Sequence, residues 1–420
     1  MEKKKINQIR RKNAKLYSIY KMFSWDLLFF YSIEFLFYTT TKKITASEVL
    51  IVSGIFMVFK IITQIPAVAI IEYLGKRKSL ILGNSMMILY ILSLVFIPGV
   101  ASIVIANLIY AIAFNIKDLA GPNLLYDSTA TRGGSGLYTK LEAKGGSWYY
   151  LIDGVASLTA GYLFVIDNYL PIYICLAFII ISTILSFGFQ DVYQPQKKKI
   201  HILKQYGTDM KQSFKFILHS KRIRALILFG AIFYGIIEMM DTYRADLLVD
   251  IGIPAEYFSM IFAVLTFIRG ISVSFQEQIE KKFKNRTLSV ISLTYIVSAI
   301  IVGVLASAYT GSLVIAIILM MYAIQKMFSA IWYILESKYV RNYTIPETRN
   351  KISFIYEFIA GIIGSTIVIL GGILLDYIPA ANAILITSLI SLAVMTLTLD
   401  YMRTRFGLKP EQYKKEDIEF

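Results

Sequence analysis

The sequence predicts an all-α integral membrane protein, with twelve transmembrane helices in two six-helix bundles related by pseudo-symmetry. Three observations carry this expectation. Of 420 residues, 56% are apolar and 17% charged, against about 45–50% and about 25% in soluble domains. The charged residues fall in short groups between long apolar runs. Segments of the second half also repeat segments of the first at a nearly constant offset.

Several function classes are excluded by composition. A net charge of +15 does not read as nucleic-acid binding, because the basic residues are spread as loop patches, the layout a bilayer selects. The single cysteine, Cys175, lies inside an apolar run, so neither a disulfide within the chain nor a thiolate metal cluster is expected. Both histidines, His201 and His219, fall in a basic linker, which argues against a zinc site. No intramembrane histidine, HExxH, Gly-x-Ser-x-Gly or Walker loop occurs, so enzyme chemistry and direct use of ATP are not expected. The expected cofactor set is empty, with a proton or sodium gradient as the energy source.

Hydropathy places the spans near 16–39, 48–71, 79–97, 100–125, 147–166, 170–189, 223–245, 257–276, 288–308, 311–335, 352–375 and 380–399. Charge tests the count. With both tails and alternate loops assigned inside, 35 of the 43 Lys and Arg residues face the cytoplasm and three face outward, Lys42, Lys43 and Arg244. That bias puts both termini in the cytoplasm of a multi-pass plasma-membrane protein. The basic stretch Met1–Lys15 reads as a cytoplasmic tail that is not cleaved. The domains follow: bundle 1–190, a cytoplasmic linker over 191–222 containing Lys197-Lys198-Lys199, and bundle 223–420 with its tail. The linker reads as a solvated connection, with contact to anionic lipid as the functional alternative.

The loop Ile71-Glu72-Tyr73-Leu74-Gly75-Lys76-Arg77 matches Ile279-Glu280-Lys281-Lys282-Phe283-Lys284, continuing to Arg286, at an offset of 208. Lys117 matches Lys326, and Asp127-Ser128 matches Glu336-Ser337, at an offset of 209. Two helical halves related as repeats place a binding site at their interface.

These features resemble the major facilitator superfamily, whose loop between spans two and three carries Gly-x-x-x-Asp-Arg-x-Gly-Arg-Arg. Glu72, Gly75, Lys76 and Arg77 occupy the acidic, glycine and basic places, while Val68 and Tyr73 depart from it. The resemblance implies a cytoplasmic gate at Glu72, Gly75, Lys76 and Arg77, repeated at Glu280 and Arg286. Lys117-Asp118-Leu119-Ala120-Gly121 is similar to a second motif, an arginine four residues before a glycine that is associated with proton coupling, with lysine in place of arginine. The stretch Leu124-Leu125-Tyr126-Asp127-Ser128 resembles a bacterial subgroup with uncharacterised or efflux-type members. The Gly-Pro motif of drug–proton antiporters is missing: Gly154 and Gly161 lack a following proline. The resemblance further implies that spans one, four, seven and ten line a central cavity.

Charges inside the membrane mark the candidate site, since each costs at least about 2.5–3.5 kcal/mol at the bilayer centre. Seven acids and four bases lie within spans, and seven of the eleven fall on spans one, four, seven and ten. Asp26, Glu34, Lys117, Asp118 and Glu238 form the expected coupling set, with Asp26–Lys117 as its central pair because depth along the helices brings them level. A structural ion pair is the competing reading. Lys326, Phe30, Tyr234, Gln325 and Asn115 are the expected substrate contacts, Lys326 for an anionic group. Its competing reading is snorkelling, or a pairing with Glu357 or Glu238. Glu34, eight residues after Asp26, shares its helical face with Phe30 between them. Asp153 and Glu357 occupy similar depths and read as an inner latch. Asp241 and Arg244, at i and i+3, read as a surface pair near the outer end. Gly121-Pro122 reads as a kink.

The resulting expectation is a monomeric secondary transporter of a small molecule, embedded in lipid, working by alternating access as proton-coupled efflux of a drug-like or amphipathic metabolite. The alternatives are a proton-coupled importer of an anionic nutrient or lipid-linked solute, and a non-transporting sensor or assembly protein on the same scaffold.

Overall fold

The structure, a computed structural model, describes residues 2–24, 27–129, 134–193, 215, 221–273, 275–309, 311–342 and 349–406. Most of the linker expected over 191–222, with both histidines, lies outside the described residues, as does Asp26. The described chain is helical: α1 Glu2–Ser24, α2 Ala46–Leu74, α3 Lys76–Phe96, α4 Gly99–Thr129, α5 Gly134–Ile166, α6 Leu170–Phe187, α7 Lys221–Asp250, α8 Ala255–Val273, α9 Gln276–Phe283, α10 Thr287–Ala308, α11 Ser312–Asn342, α12 Arg349–Leu375 and α13 Ala380–Phe406. Among the described residues, eleven of these helices are long and apolar enough to cross a bilayer.

The first expected crossing, 16–39, is not one helix. Its first part is the end of α1. Beyond the described part of α1, Leu27–Phe30 forms a turn with Phe29 at φ 69, and the chain continues as short 3₁₀, α and π turns over Tyr31–Thr41. The segment is dense in aromatic residues, which are only moderate helix formers. What it loses in helical regularity is offset by burying Phe30, Phe37 and Tyr38 with Tyr90 as tilted and edge-on rings. Interrupted spans are a device by which membrane transporters present backbone and polar groups at mid-depth. In α4, by contrast, the helix continues through Pro122.

Close contacts divide the chain into two compact units. Unit 1 comprises 1–44, 59–205 and 255–263; unit 2 comprises 45–58, 206–254 and 264–420. Within unit 1, α1 packs on α4, α5 and α6, and α3 packs on α4 and α6. Its inner cluster is Tyr20, Leu80, Leu124, Leu125 and Phe189. The start of α8 belongs to this unit: the Gly161 N–H on α5 donates to Ser259 Oγ at 2.8 Å. Within unit 2, α7 packs on α12 and α13, and α10 on α11 and α13. Its aromatic centre is Trp332, set against Phe229 and Phe233 with ring centroids 5.2 Å away from each. The start of α2 belongs here, where a side chain at Gly372 would meet Ser47 O and Leu50 Cβ, each 2.9 Å away. On the outward faces Leu313, Phe96, Ile166 and Leu397 are more than 70% exposed, which suits hydrocarbon rather than water.

Candidate functional site

The densest group of buried charge lies in unit 2, built from α7, α10 and α11 with the end of α8. Asp241 on α7 sits between two cations. Arg244, one turn along the same helix, donates from Nη1 to Asp241 Oδ1 at 2.7 Å, and Lys326 on α11 donates to Asp241 Oδ2 at 2.5 Å. Arg244 is wholly buried; its Nη2 donates to Gln325 Oε1 at 3.2 Å and its guanidinium lies 4.9 Å from the Tyr322 ring centroid. A face-on aromatic ring and an amide oxygen help hold a cation that water no longer solvates. One turn before Asp241, Glu238 accepts from Tyr333 Oη at 3.2 Å, and Arg269 on α8 lies over the Tyr333 ring at 5.3 Å. The cluster therefore holds three cations and two carboxylates. One carboxylate, Asp241, is shared by Arg244 and Lys326, so the cations of the cluster outnumber its carboxylates.

Unit 1 carries a second polar site, a hollow of about 110 Å³ among α1, α3, α4 and α5. Lys117, Asp118, Lys21 and Glu142 bring charge to its wall, and Tyr17, Phe114 and Met87 bring apolar surface. Lys21 forms an ion pair with Glu142, joining α1 to α5. Asp118 is exposed, and Lys60 lies 4.4 Å from the Phe114 ring centroid.

The expected site residues divide as follows. Lys117 and Asp118 line the hollow of unit 1; Glu238, Lys326 and Gln325 meet in unit 2, and Tyr234 lies 6.4 Å from Tyr333 there. The two pairings weighed for Lys326, with Glu357 or Glu238, give way to Asp241. Phe30 is a correction: it is fully buried among Phe37, Tyr38 and Tyr90 and offers no face to a ligand. A stripe from Asp26 to Glu34 assumed an unbroken helix, and the turn at Phe29 rotates Phe30 into the aromatic core. Glu34 itself is half-buried. Asn115 is also engaged elsewhere, donating to Lys60 O at 2.6 Å and Thr63 Oγ1 at 3.0 Å on α2, so it fastens α4 to α2. Asp153 on α5 and Glu357 on α12 belong to different units.

Arg244 is the principal residue the sequence misassigned. Drawing span seven only to 245 put the Asp241–Arg244 pair at the membrane rim, whereas α7 runs on to Asp250 and Arg244 is enclosed. The loop motif is clearer. Gly75 takes φ 84 at the start of α3, a conformation that side chains resist. Lys76 then pairs with Asp127 on α4, while the Arg77 N–H donates to Asp191 Oδ1 at 3.0 Å and its Nη2 to Phe187 O at 3.2 Å. Glu72 is exposed. In unit 2 Glu280 accepts from Gln276 Nε2 at 3.3 Å, and Arg286 is exposed.

The profile of the Major Facilitator Superfamily matches residues 18–364, and the chain belongs to that family. Solved structures share the fold. Nucleoside transporter NupG superposes with a TM-score of 0.75 at 11% identity, over 96% of this chain and 100% of that one. A D-xylose-proton symporter gives 0.65 at 11% identity, over 96% and 99%. A bacterial homolog of the human lysosomal transporter Spinster gives 0.66 at 13%, over 96% and 99%. Among curated proteins, none matches the chain in sequence.

Proposed function

We propose that the protein is a proton-coupled secondary transporter of a small solute carrying an anionic group, working by alternating access in the plasma membrane. The observation that carries this reading is the sharing of Asp241 between Arg244 and Lys326. An entering carboxylate or phosphate takes the place of Asp241 on Lys326, while Asp241 keeps Arg244 compensated. Burying a charge without such an exchange partner is costly. Asp118 and Glu142, beside Lys117 and Lys21 in the unit 1 hollow, supply carboxyls that can carry a proton near a fixed cation. The fold shared with a D-xylose-proton symporter and a nucleoside transporter supports secondary transport, and the cargo rests on the cluster alone.

The test is uptake into proteoliposomes of labelled sugar acids, short dicarboxylates and nucleoside monophosphates under pH gradients of either sign. Flux of at least one anionic member should follow the gradient, and the sign that drives it gives the direction. Lys326→Ala should lower that flux by about tenfold or more, the loss of one charge-assisted contact, with Lys326→Arg retaining part. Flux confined to cationic dyes would overturn the reading. That outcome would favour efflux of an amphipathic cation, the second reading, whose support is the exposed Asp118 carboxylate beside Phe114 and Tyr17.

A further inference from the structure

Two of the three cations in the unit 2 cluster are committed. Lys326 and Arg244 both donate to Asp241, and Arg244 also donates to Gln325. Arg269 is the exception. Among the described residues it forms no ion pair and no hydrogen bond, and what holds it is the face of Tyr333, with the ring centroid 5.3 Å from Cζ. It lies in α8, one of the helices able to cross the bilayer. A charge there is costly and calls for a partner or for water.

The side chain is aimed at the cluster. A cation that only reached for lipid headgroups would turn outward along its own helix. Arg269 turns instead to α11, over the ring of Tyr333, whose hydroxyl donates to Glu238 on α7 at 3.2 Å. Its charge acts on Glu238 and Lys326 alike. The bond to Glu238 thus fixes the ring, and the ring fixes the guanidinium by its π face. A ring against that face leaves the N–H groups around the guanidinium edge unoccupied. Arg269 is exposed, and in the most apolar stretch of α8 22% of residues are buried, against 72% in α7. Little of the protein closes over these donors.

The ligand class follows from the donors. Five N–H groups in one rigid plane match an anion that presents two oxygens side by side. Carboxylates and phosphates do so, whereas a halide offers a single point. The nearby carboxylates are engaged: Asp241 by the other two cations, Glu238 by Tyr333. An anion arriving at Lys326 must displace Asp241. At Arg269 it displaces nothing.

We propose that Arg269 selects the solute, receiving its carboxylate or phosphate two-pronged on the guanidinium edge, with Tyr333 as the positioning residue against its face. The proposal rests on the anion reading of the cluster and adds the shape of the anion to it.

The experiment is modification of the full chain by phenylglyoxal, which reacts with accessible guanidinium groups, followed peptide by peptide by mass spectrometry. The protein is held in dodecyl maltoside, a detergent without phosphate. Arg269 should be modified, and the wholly buried Arg244 should not. Succinate and inorganic phosphate are added separately to distinguish the two sources of oxyanion. At least one should protect Arg269 saturably, slowing its modification about tenfold at ten times the dissociation constant. Sodium chloride at equal ionic strength should not. Tyr333→Leu should weaken the protecting anion by about threefold, the scale of a ring contact on an exposed cation. Tyr333→Phe, which keeps the ring, should weaken it less. Arg269→Lys keeps the charge but not the fork, so it should raise the KM for anion uptake into proteoliposomes by about tenfold. Absence of protection by both oxyanions, equal protection by chloride, or protection by added phosphatidylglycerol alone would each overturn the proposal. Flux of an anion with KM unchanged in Arg269→Lys would overturn it too and leave the transport reading in place. Protection without flux of any anion would uphold Arg269 as a binding residue and remove the transport reading alone.

Discussion

Equivalent positions in the two units meet different ends. Lys117 and Lys326 stand 209 residues apart in the repeat, yet Lys117 lines a hollow in unit 1 while Lys326 is engaged by Asp241 in unit 2. Asp127 and Glu336 keep the same offset. Asp127 is paired with Lys76, whereas Glu336 Oε1 is buried without a hydrogen-bond partner near Tyr356 and Gly230. The repeat thus carries over charge positions, while the mates Asp127 and Glu336 differ in their hydrogen bonding. Unit 1 divides its ion pairs between the loop motif, Lys76–Asp127, and its hollow, Lys21–Glu142, whereas unit 2 gathers its charges on α7 and α11. On the function proposed above, unit 2 holds the ligand and unit 1 the proton.

The largest expected effect is at Arg244. Replacing it with Ala removes one cation from Asp241 and a guanidinium stacked on Tyr322 from a fully enclosed site. Removing one member of a buried pair costs about 3–5 kcal/mol. With Lys326 still on Asp241, a loss of about 3 kcal/mol is expected, read as denaturant unfolding in detergent. Arg244→Lys should recover part of it, since lysine keeps the charge but not the fork. An Arg244→Ala protein as stable as the parent would break the contrast between units.

Next comes the lysine pair itself. Lys326→Ala leaves Asp241 with Arg244 as its remaining cation, and stability should fall by about 2 kcal/mol along with anion flux. Lys117→Ala removes a cation from the wall of a hollow, where water can fill the space left, so its stability cost should be smaller. Its effect should appear instead in the response of flux to a pH gradient. Equal stability losses in the two variants would make both lysines structural.

Much of this arrangement is legible in the sequence, and the exceptions share a cause. Hydropathy and loop charge are properties of single segments, so the long apolar helices, the repeat and the family resemblance can be read directly. Lys326 and Gln325 could be named because they sit in the middle of a span the repeat singles out. Phe30 could not be placed, because hydropathy is blind to a backbone break with neither Gly nor Pro to mark it, and Phe29 at φ 69 turns the face around. Arg244 could not be placed because an i,i+3 pair with Asp241 looks alike on a surface and in a core. Only the arrival of Lys326 and Gln325 from α11 distinguishes them. The Gly75 turn was readable because the conformation requires the residue type.

The mates Asp127 and Glu336 give a contrast in sign. Lys76→Ala removes a partly exposed partner of Asp127, and such pairs contribute about 0.2–1 kcal/mol, less at high salt. A loss of that size that shrinks in 0.5 M salt is expected. Glu336→Gln puts an amide where one carboxyl oxygen is unsatisfied, and that amide can donate to Tyr356 Oη, itself without a partner. Stability should therefore rise, by about 1 kcal/mol, the scale of one buried hydrogen bond. If both variants lose stability, Glu336 is as firmly compensated as Asp127, and the asymmetry between the repeats disappears at this position.

The smallest effect tests the turn. Gly75 and Lys284 are also 209 apart, and both have positive φ, 84 and 47, where the short connection leads into the next helix. Glycine takes that geometry freely, whereas lysine pays about 1 kcal/mol for it. Gly75→Ala should thus cost about 1 kcal/mol. Lys284→Gly relieves the strain but gives the unfolded chain more freedom to lose, so its net gain should be a few tenths of a kcal/mol. Lys284 is exposed, so no buried contact is lost with its side chain. A gain in one unit and a loss in the other from exchanges at matched positions would show that the repeats keep the bend while only unit 1 keeps the residue that suits it.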